Sequence, residues 1–153
     1  MDLSYGSEYD LFREEVRSFI REFKDKQPKA DDGIKSRAMR DWQSLLVQHG
    51  YHSRTIPEAY GGFGAEPDII KSRIIAEEFG AQRVHRGFNG QGVTMLTPVL
   101  LEMGTEEQKK TFIEPTIRAE IIWCQGYSEP GAGSDLASKC IIINQTSKCI
   151  CIP

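Results

Sequence analysis

Six apolar residues near the start of the chain, Tyr9, Phe12, Val16, Phe19, Ile20 and Phe23, recur at steps of three or four. That spacing sets them along one side of a helix and leaves Arg13, Glu14, Arg17, Arg21 and Glu22 for the other sides. Similar stripes return further on, each closed by glycine or proline. Ser7, with Asp10 three residues later, is a variant capping signal for the first helix, and Pro28 ends that element. A second helix is predicted from Ile34 to His49 on Ala38, Trp42, Leu45 and Leu46, with Gly50 as its stop. A third starts at Pro67 and runs on Ile70, Ile74, Ile75 and Phe79 to Gly80. Leu96, Val99, Leu100 and Met103 give a fourth stripe, closed by Gly104. Thr105 and Gln108 form a capping box that opens a fifth helix, with Phe112 facing inward and Pro115 expected to break or kink it. Residues 56–64 and 83–92 are too rich in glycine for regular elements and read as connections.

Residues 1–120 therefore read as one helical bundle. The character changes at Ile121. Ile121 to Cys124 is a short apolar run expected to form a buried strand and to open a β-domain over residues 121–138. Residues 139–153 hold five Ile and three Cys with no acid, glycine or aromatic residue, and stand apart as an atypical tail. The predicted fold class is mainly α, a helical bundle followed by the first strand or strands of an incomplete β-domain.

Charge and composition exclude several functions. Nineteen Lys and Arg against 22 Asp and Glu leave a net charge of -3, without the basic patch that nucleic acid requires. The longest apolar runs are three or four residues, far short of the ~18 of a membrane helix. Asp2, Glu8 and Asp10 precede the first basic residue, Arg13, unlike a secretory or transit peptide, so the expected location is cytoplasmic. His49, His52 and His85 are scattered, and Cys140, Cys149 and Cys151 lack a fourth ligand, so no metal site is expected.

One stretch is loaded with chemistry. Gln125-Gly126-Tyr127-Ser128-Glu129-Pro130-Gly131-Ala132-Gly133-Ser134-Asp135 combines glycines, which clear side chains from the backbone, with hydroxyls at Ser128 and Ser134. Exposed N–H groups in such a loop bind anionic oxygens. On these grounds it is a phosphate- or cofactor-binding loop or a rigid turn. It is neither of the two best-known glycine-rich phosphate motifs.

The run from Trp123 to Leu136 resembles the first signature of the acyl-CoA dehydrogenase family, a Ser or Thr followed by Glu, a Pro-Gly pair, a small residue and Gly-Ser-Asp. Ile56 to Gly64 is similar to the family's Pro-Glu-x-Tyr-Gly-Gly-x-Gly loop, and Gly104 to Lys109 to its Gly-Thr-Glu-Glu-Gln-Lys segment. The three matches fall in order between residues 7 and 138. The resemblance implies an N-terminal helical domain, a middle β-domain and a C-terminal helical domain, with FAD between the last two. It implies removal of a proton from the α-carbon of an acyl-CoA thioester and transfer of hydride from the β-carbon to the flavin. By that likeness Gln125, Gly126, Tyr127 and Ser128 bind the isoalloxazine, and Gly133 and Ser134 bind toward the flavin phosphates. Ser134 also touches the CoA end of the substrate. Ser128 stands where many members carry Thr, which keeps the hydroxyl.

The resemblance fades after Ser138, where the family's strand and Asn-Gly hairpin are replaced by Lys139 to Asn144. The family's catalytic glutamate belongs to the C-terminal domain, and Glu58, Glu77, Glu78 and Glu129 match none of its motif. The chain is therefore expected to be a fragment with no catalytic base of its own. The resemblance further implies an acyl-CoA substrate and assembly as a homodimer or homotetramer. Two rival expectations are a catalytically inactive helical module that associates with full-length subunits, and a plain interaction domain in which the glycine loop is only a turn.

Overall fold

A computed structural model of the chain describes residues 6–124. Five α-helices follow in order: α1 Ser7–Phe23, α2 Arg37–Gln48, α3 Ile69–Ala81, α4 Thr97–Met103 and α5 Glu106–Ile117. A single 3-10 turn, Lys24–Lys26, extends α1 before Pro28, and a second, Glu58–Tyr60, lies in the loop before α3. A five-residue π-turn, Gly92–Leu96, leads directly into α4.

The described helices bury two cores, the first built from the first three predicted stripes and the second sharing only Leu100 with a predicted stripe. Phe12, Val16, Phe19 and Ile20 of α1 meet Trp42 and Leu46 of α2 and Ile74, Ile75 and Phe79 of α3. Val47, Ile56, Leu100, Ile113 and Ile117 form the second. Each large side chain buried in this way contributes roughly 1.5–3 kcal/mol, which makes these stripes the main force holding short helices together. Ring contacts knit the first core, with Phe19 lying 4.6 Å from Tyr51 and 6.0 Å from Trp42 between ring centres.

Charge aligns α1 with α3. Lys71 Nζ meets Glu8 at 2.8 Å, Arg13 reaches Glu77 at 2.9 Å and Glu78 at 2.6 Å, and Arg17 Nε reaches Glu78 at 2.9 Å. Contact points that advance along both helices in the same sense mean that α1 and α3 run parallel.

Side chains cap α2, α3 and α5; the capping box of α5 is the one predicted, whereas α2 starts at Arg37 rather than Ile34 and α3 at Ile69 rather than Pro67. The Ser36 hydroxyl accepts from the Met39 N–H, and the Asp68 carboxylate accepts from the Lys71 N–H. Thr105 and Gln108 exchange both bonds of a capping box. Other expectations need correction. Ser7 is the first helical residue; Gly6 takes the cap position and no side chain caps this end. Pro115 lies inside α5 without ending it. It falls in the last turn, where its missing N–H removes a single bond, to the carbonyl of the exposed Thr111. Val99 and Met103, expected in the fourth stripe, are 54% and 81% exposed. Helix α4 has only seven residues and buries Leu100 and Thr97.

The expected strand at Ile121–Cys124 is not formed. Ile121 sits at a bend, Ile122 to Cys124 have no regular structure, and none of the four is buried. No partner strand occurs among the described residues, and an apolar run pairs as a strand only where a ladder exists to join. The rest of the expected β-domain, 125–138, and the tail, 139–153, lie outside the described residues. None of the described helices is long and apolar enough to cross a membrane.

Candidate functional site

Gln125, Gly126, Tyr127, Ser128, Gly133 and Ser134 lie outside the described residues. The residues that lead into that loop are described, and they are anchored firmly. Trp123 donates its indole N–H to Thr116 Oγ1 at 2.7 Å. Its ring stands edge-on to Phe112, with centres 5.8 Å apart. Thr116 itself donates to the Phe112 carbonyl at 2.6 Å, so its hydroxyl oxygen is aimed by the helix that carries it. The indole lies against Gly92, where an added Cβ would come within 2.2 Å of Trp123 Cδ1 and 2.8 Å of Thr116 Cγ2. A side chain at the first residue of the π-turn would therefore displace the indole from its seat. Thr97 Oγ1 donates to the Gly92 carbonyl at 2.9 Å and ties this turn to α4. Pi-type turns inside helices cost backbone regularity and occur often at functional sites.

A second construction holds the loop between α3 and the π-turn. Gln43 is fully buried on α2. Its amide nitrogen donates to the Ile117 carbonyl at 2.9 Å and the Phe88 carbonyl at 3.2 Å, while its oxygen accepts the Phe88 N–H at 2.7 Å. One side chain thereby joins α2, the 82–91 loop and the end of α5. His52 lies beside it, 3.2 Å from the Gln43 nitrogen and 2.8 Å from Ser53 Oγ. Burial pushes the His52 imidazole down to about 4, so it is neutral at neutral pH. Gly87 has φ +84°, and a Cβ there would meet Gln43 Oε1 at 2.6 Å.

Sequence patterning missed Gln43, His52 and Gly92. A signal for Gln43 exists: it lies four residues from both Met39 and Val47, a polar residue within a buried apolar face. Such a residue must find hydrogen bonds and therefore organises its neighbours. Trp42 is core, as expected, and its indole N–H donates to the His85 carbonyl at 2.7 Å.

Two of the acids considered in the sequence, Glu77 and Glu78, are committed to ion pairs. Hydrogen bonds from Arg17 and Arg13 hold the Glu78 carboxyl below its usual range, and Arg73 with Arg13 does the same to Glu77. Neither is free to take a proton from a ligand. A cavity of about 460 Å³ opens beside the anchored 82–91 loop, with Tyr51, Ser53, Phe79, Arg86, Asn89 and Val93 among its walls.

Comparison with known proteins agrees with this architecture. The family profile described as "Acyl-CoA dehydrogenase, N-terminal domain" matches residues 6–120. The acyl-CoA dehydrogenase IpdE1 of Mycolicibacterium smegmatis is 36% identical over 99 residues, covering 65% of this chain and 25% of the relative. The mitochondrial long-chain specific acyl-CoA dehydrogenase of Rattus norvegicus is 31% identical over 140 residues, 86% of this chain and 30% of the relative. Among solved structures, the Tcur3481-Tcur3483 steroid ACAD superposes with a TM-score of 0.59 at 28% identity, covering 91% of this chain and 36% of that one. The chain thus spans roughly a quarter to a third of the length of these relatives. With the five-helix fold and a family profile matched from Gly6 to Glu120, the chain belongs to the acyl-CoA dehydrogenase family.

Proposed function

We propose that this chain serves FAD-dependent α,β-dehydrogenation of an acyl-CoA thioester as the N-terminal part of an acyl-CoA dehydrogenase. The observation that carries this reading is the seating of Trp123 on Thr116, Phe112 and Gly92, immediately before the Gln125–Asp135 signature. A loop that must meet a flat cofactor needs a fixed point of departure, and the helical domain supplies one. The residues present fit the cofactor in kind: glycines that bare backbone N–H groups, and hydroxyls at Ser128 and Ser134.

When bound, FAD supplies the acceptor for the hydride. The chain's own residues bind and orient it. Gln125, Gly126, Tyr127 and Ser128 would hold the isoalloxazine, Ser128 supplying a hydroxyl, and Gly133 and Ser134 would hold the phosphate side, with Ser134 also serving the CoA end of the substrate. The α-proton would be taken by a general base within hydrogen-bond reach, a role that Glu77 and Glu78, held by arginines, do not fill. By itself the chain binds FAD weakly and turns over little or no thioester. Exchange of residues 6–138 into a full-length relative tests the reading. The chimera is expected to retain flavin and oxidise acyl-CoA; a folded chimera without flavin would contradict it.

A second reading, an inactive helical module that associates with full-length subunits, is favoured by one observation. Met95, Val99 and Met103 lie at steps of four and are 49%, 54% and 81% exposed. Co-purification with a complete acyl-CoA dehydrogenase would support it, and a chain that stays apart from one would remove it.

A further inference from the structure

The cavity beside the 82–91 loop has an unusual balance of charge. Arg86, an exposed residue, is among those lining it, and no ion pair or hydrogen bond of its guanidinium is found among the described residues. The other polar side chains there are Tyr51, Ser53, His52 and Asn89, and no acid lines the cavity among the described residues. Burial, reinforced by the charge of Glu15, pushes the Tyr51 phenol up to about 12, so it is a neutral donor at neutral pH. Phe79 and Val93 add apolar surface. A lone guanidinium, neutral donors and an apolar wall suit a carboxylate on an apolar body, because a guanidinium fork matches both carboxylate oxygens.

The segment that carries Arg86 is fixed on both sides. The His85 N–H donates to Gln27 Oε1 at 2.9 Å, and the His85 carbonyl accepts from Trp42 at 2.7 Å. The Gly87 N–H donates to His85 Nδ1 at 3.0 Å, and the Phe88 N–H to Gln43 at 2.7 Å. Tying an irregular segment to the fold by three bonds, with a fourth inside it, lowers the ordering cost of binding. The cavity also lies near the Trp123 seat, since Val93 lines it and the neighbouring Gly92 packs against the indole.

We propose that this cavity binds a carboxylate-bearing organic ligand through Arg86, so that the acyl group processed by the complete enzyme ends in a carboxylate. The assignment of that ligand as an acyl group rests on the dehydrogenase reading; the carboxylate site itself does not.

The test is an NMR titration of the intact 153-residue chain at neutral pH with 4-phenylbutyrate and, separately, with its uncharged amide. The carboxylate is expected to give saturable shifts at Ser53, Gly87, Asn89 and Val93 and to bind about tenfold or more tighter than the amide. Arg86→Gln is expected to bring the acid down to the amide's level, and Arg86→Lys to retain part of the preference. Equal affinity for acid and amide, absence of saturable shifts at those residues, or an unchanged preference in either folded variant would overturn the proposal. The acid–amide comparison in the unmodified chain decides the question even where a variant fails to fold. No flavin enters the measurement. A chain that selects the acid yet forms no active chimera would keep the carboxylate site and remove the dehydrogenase reading, and the converse result separates them the other way.

Discussion

His52 shows how one buried side chain ties stability to pH. Its imidazole titrates near 6.5 when exposed and is pushed down to about 4 by burial. Between those values the unfolded chain binds the proton and the folded chain does not, so acid favours unfolding. Folding stability is expected to be flat in this respect above pH 6.5 and to fall by up to roughly 3 kcal/mol as pH drops toward 4. His52→Gln removes that slope and leaves the acid loss due to carboxylates such as Glu78 at lower pH. Urea denaturation of both forms across pH 7.5 to 4 checks this; parallel profiles would place the proton uptake elsewhere. Little of this was legible in the sequence. Three scattered histidines give no pattern, and the Gln43 bonds that join three segments depend on carbonyls of Phe88 and Ile117, 45 and 74 residues away. Backbone acceptors look alike in any sequence, so such partners emerge only from the fold.

At the scale of elements, the parallel pairing of α1 with α3 turns on Glu78. Its carboxylate is almost fully buried between Arg13 and Arg17. Glu78→Ala removes the shared anion and leaves two cations facing one another. The expected loss is about 2 kcal/mol, below that of a fully buried pair because both arginines keep contact with water. Thermal denaturation measures it, and an unchanged midpoint would mean that apolar packing alone sets the pairing. At the π-turn, Gly92→Ala is expected to expel the Trp123 indole, giving a red-shifted and more quenchable emission in a Trp42→Phe background. Retained emission would show that the seat tolerates a methyl group. The helices themselves were legible, because stripes at steps of three and four survive into Phe12, Val16, Trp42, Leu46, Ile74 and Phe79. Their details failed where local signals compete. Ser7 carries a capping side chain, yet Gly6 takes the cap position. Pro115 is a helix breaker, yet it stands where one bond is all that it removes. Ile121 to Cys124 has a strand's composition and no strand to pair with among the described residues.

For the whole molecule, the motif around Ser128 announced the family, and the described bundle shows how a helical domain can hold the start of that loop. The loop's own geometry was not legible beyond residue types, because glycine-rich backbone takes its shape from what it encloses. The account stands or falls on flavin. Titration of the intact chain with FAD, followed by flavin fluorescence, is the most direct test. Weak but saturable binding is predicted, further weakened several-fold in the Ser128→Ala/Ser134→Ala double variant while the helical circular dichroism is unchanged. Equal affinity in the variant and the unmodified chain would contradict the assignment of the loop, and tight stoichiometric flavin with unaided thioester oxidation would contradict the account of what the chain lacks.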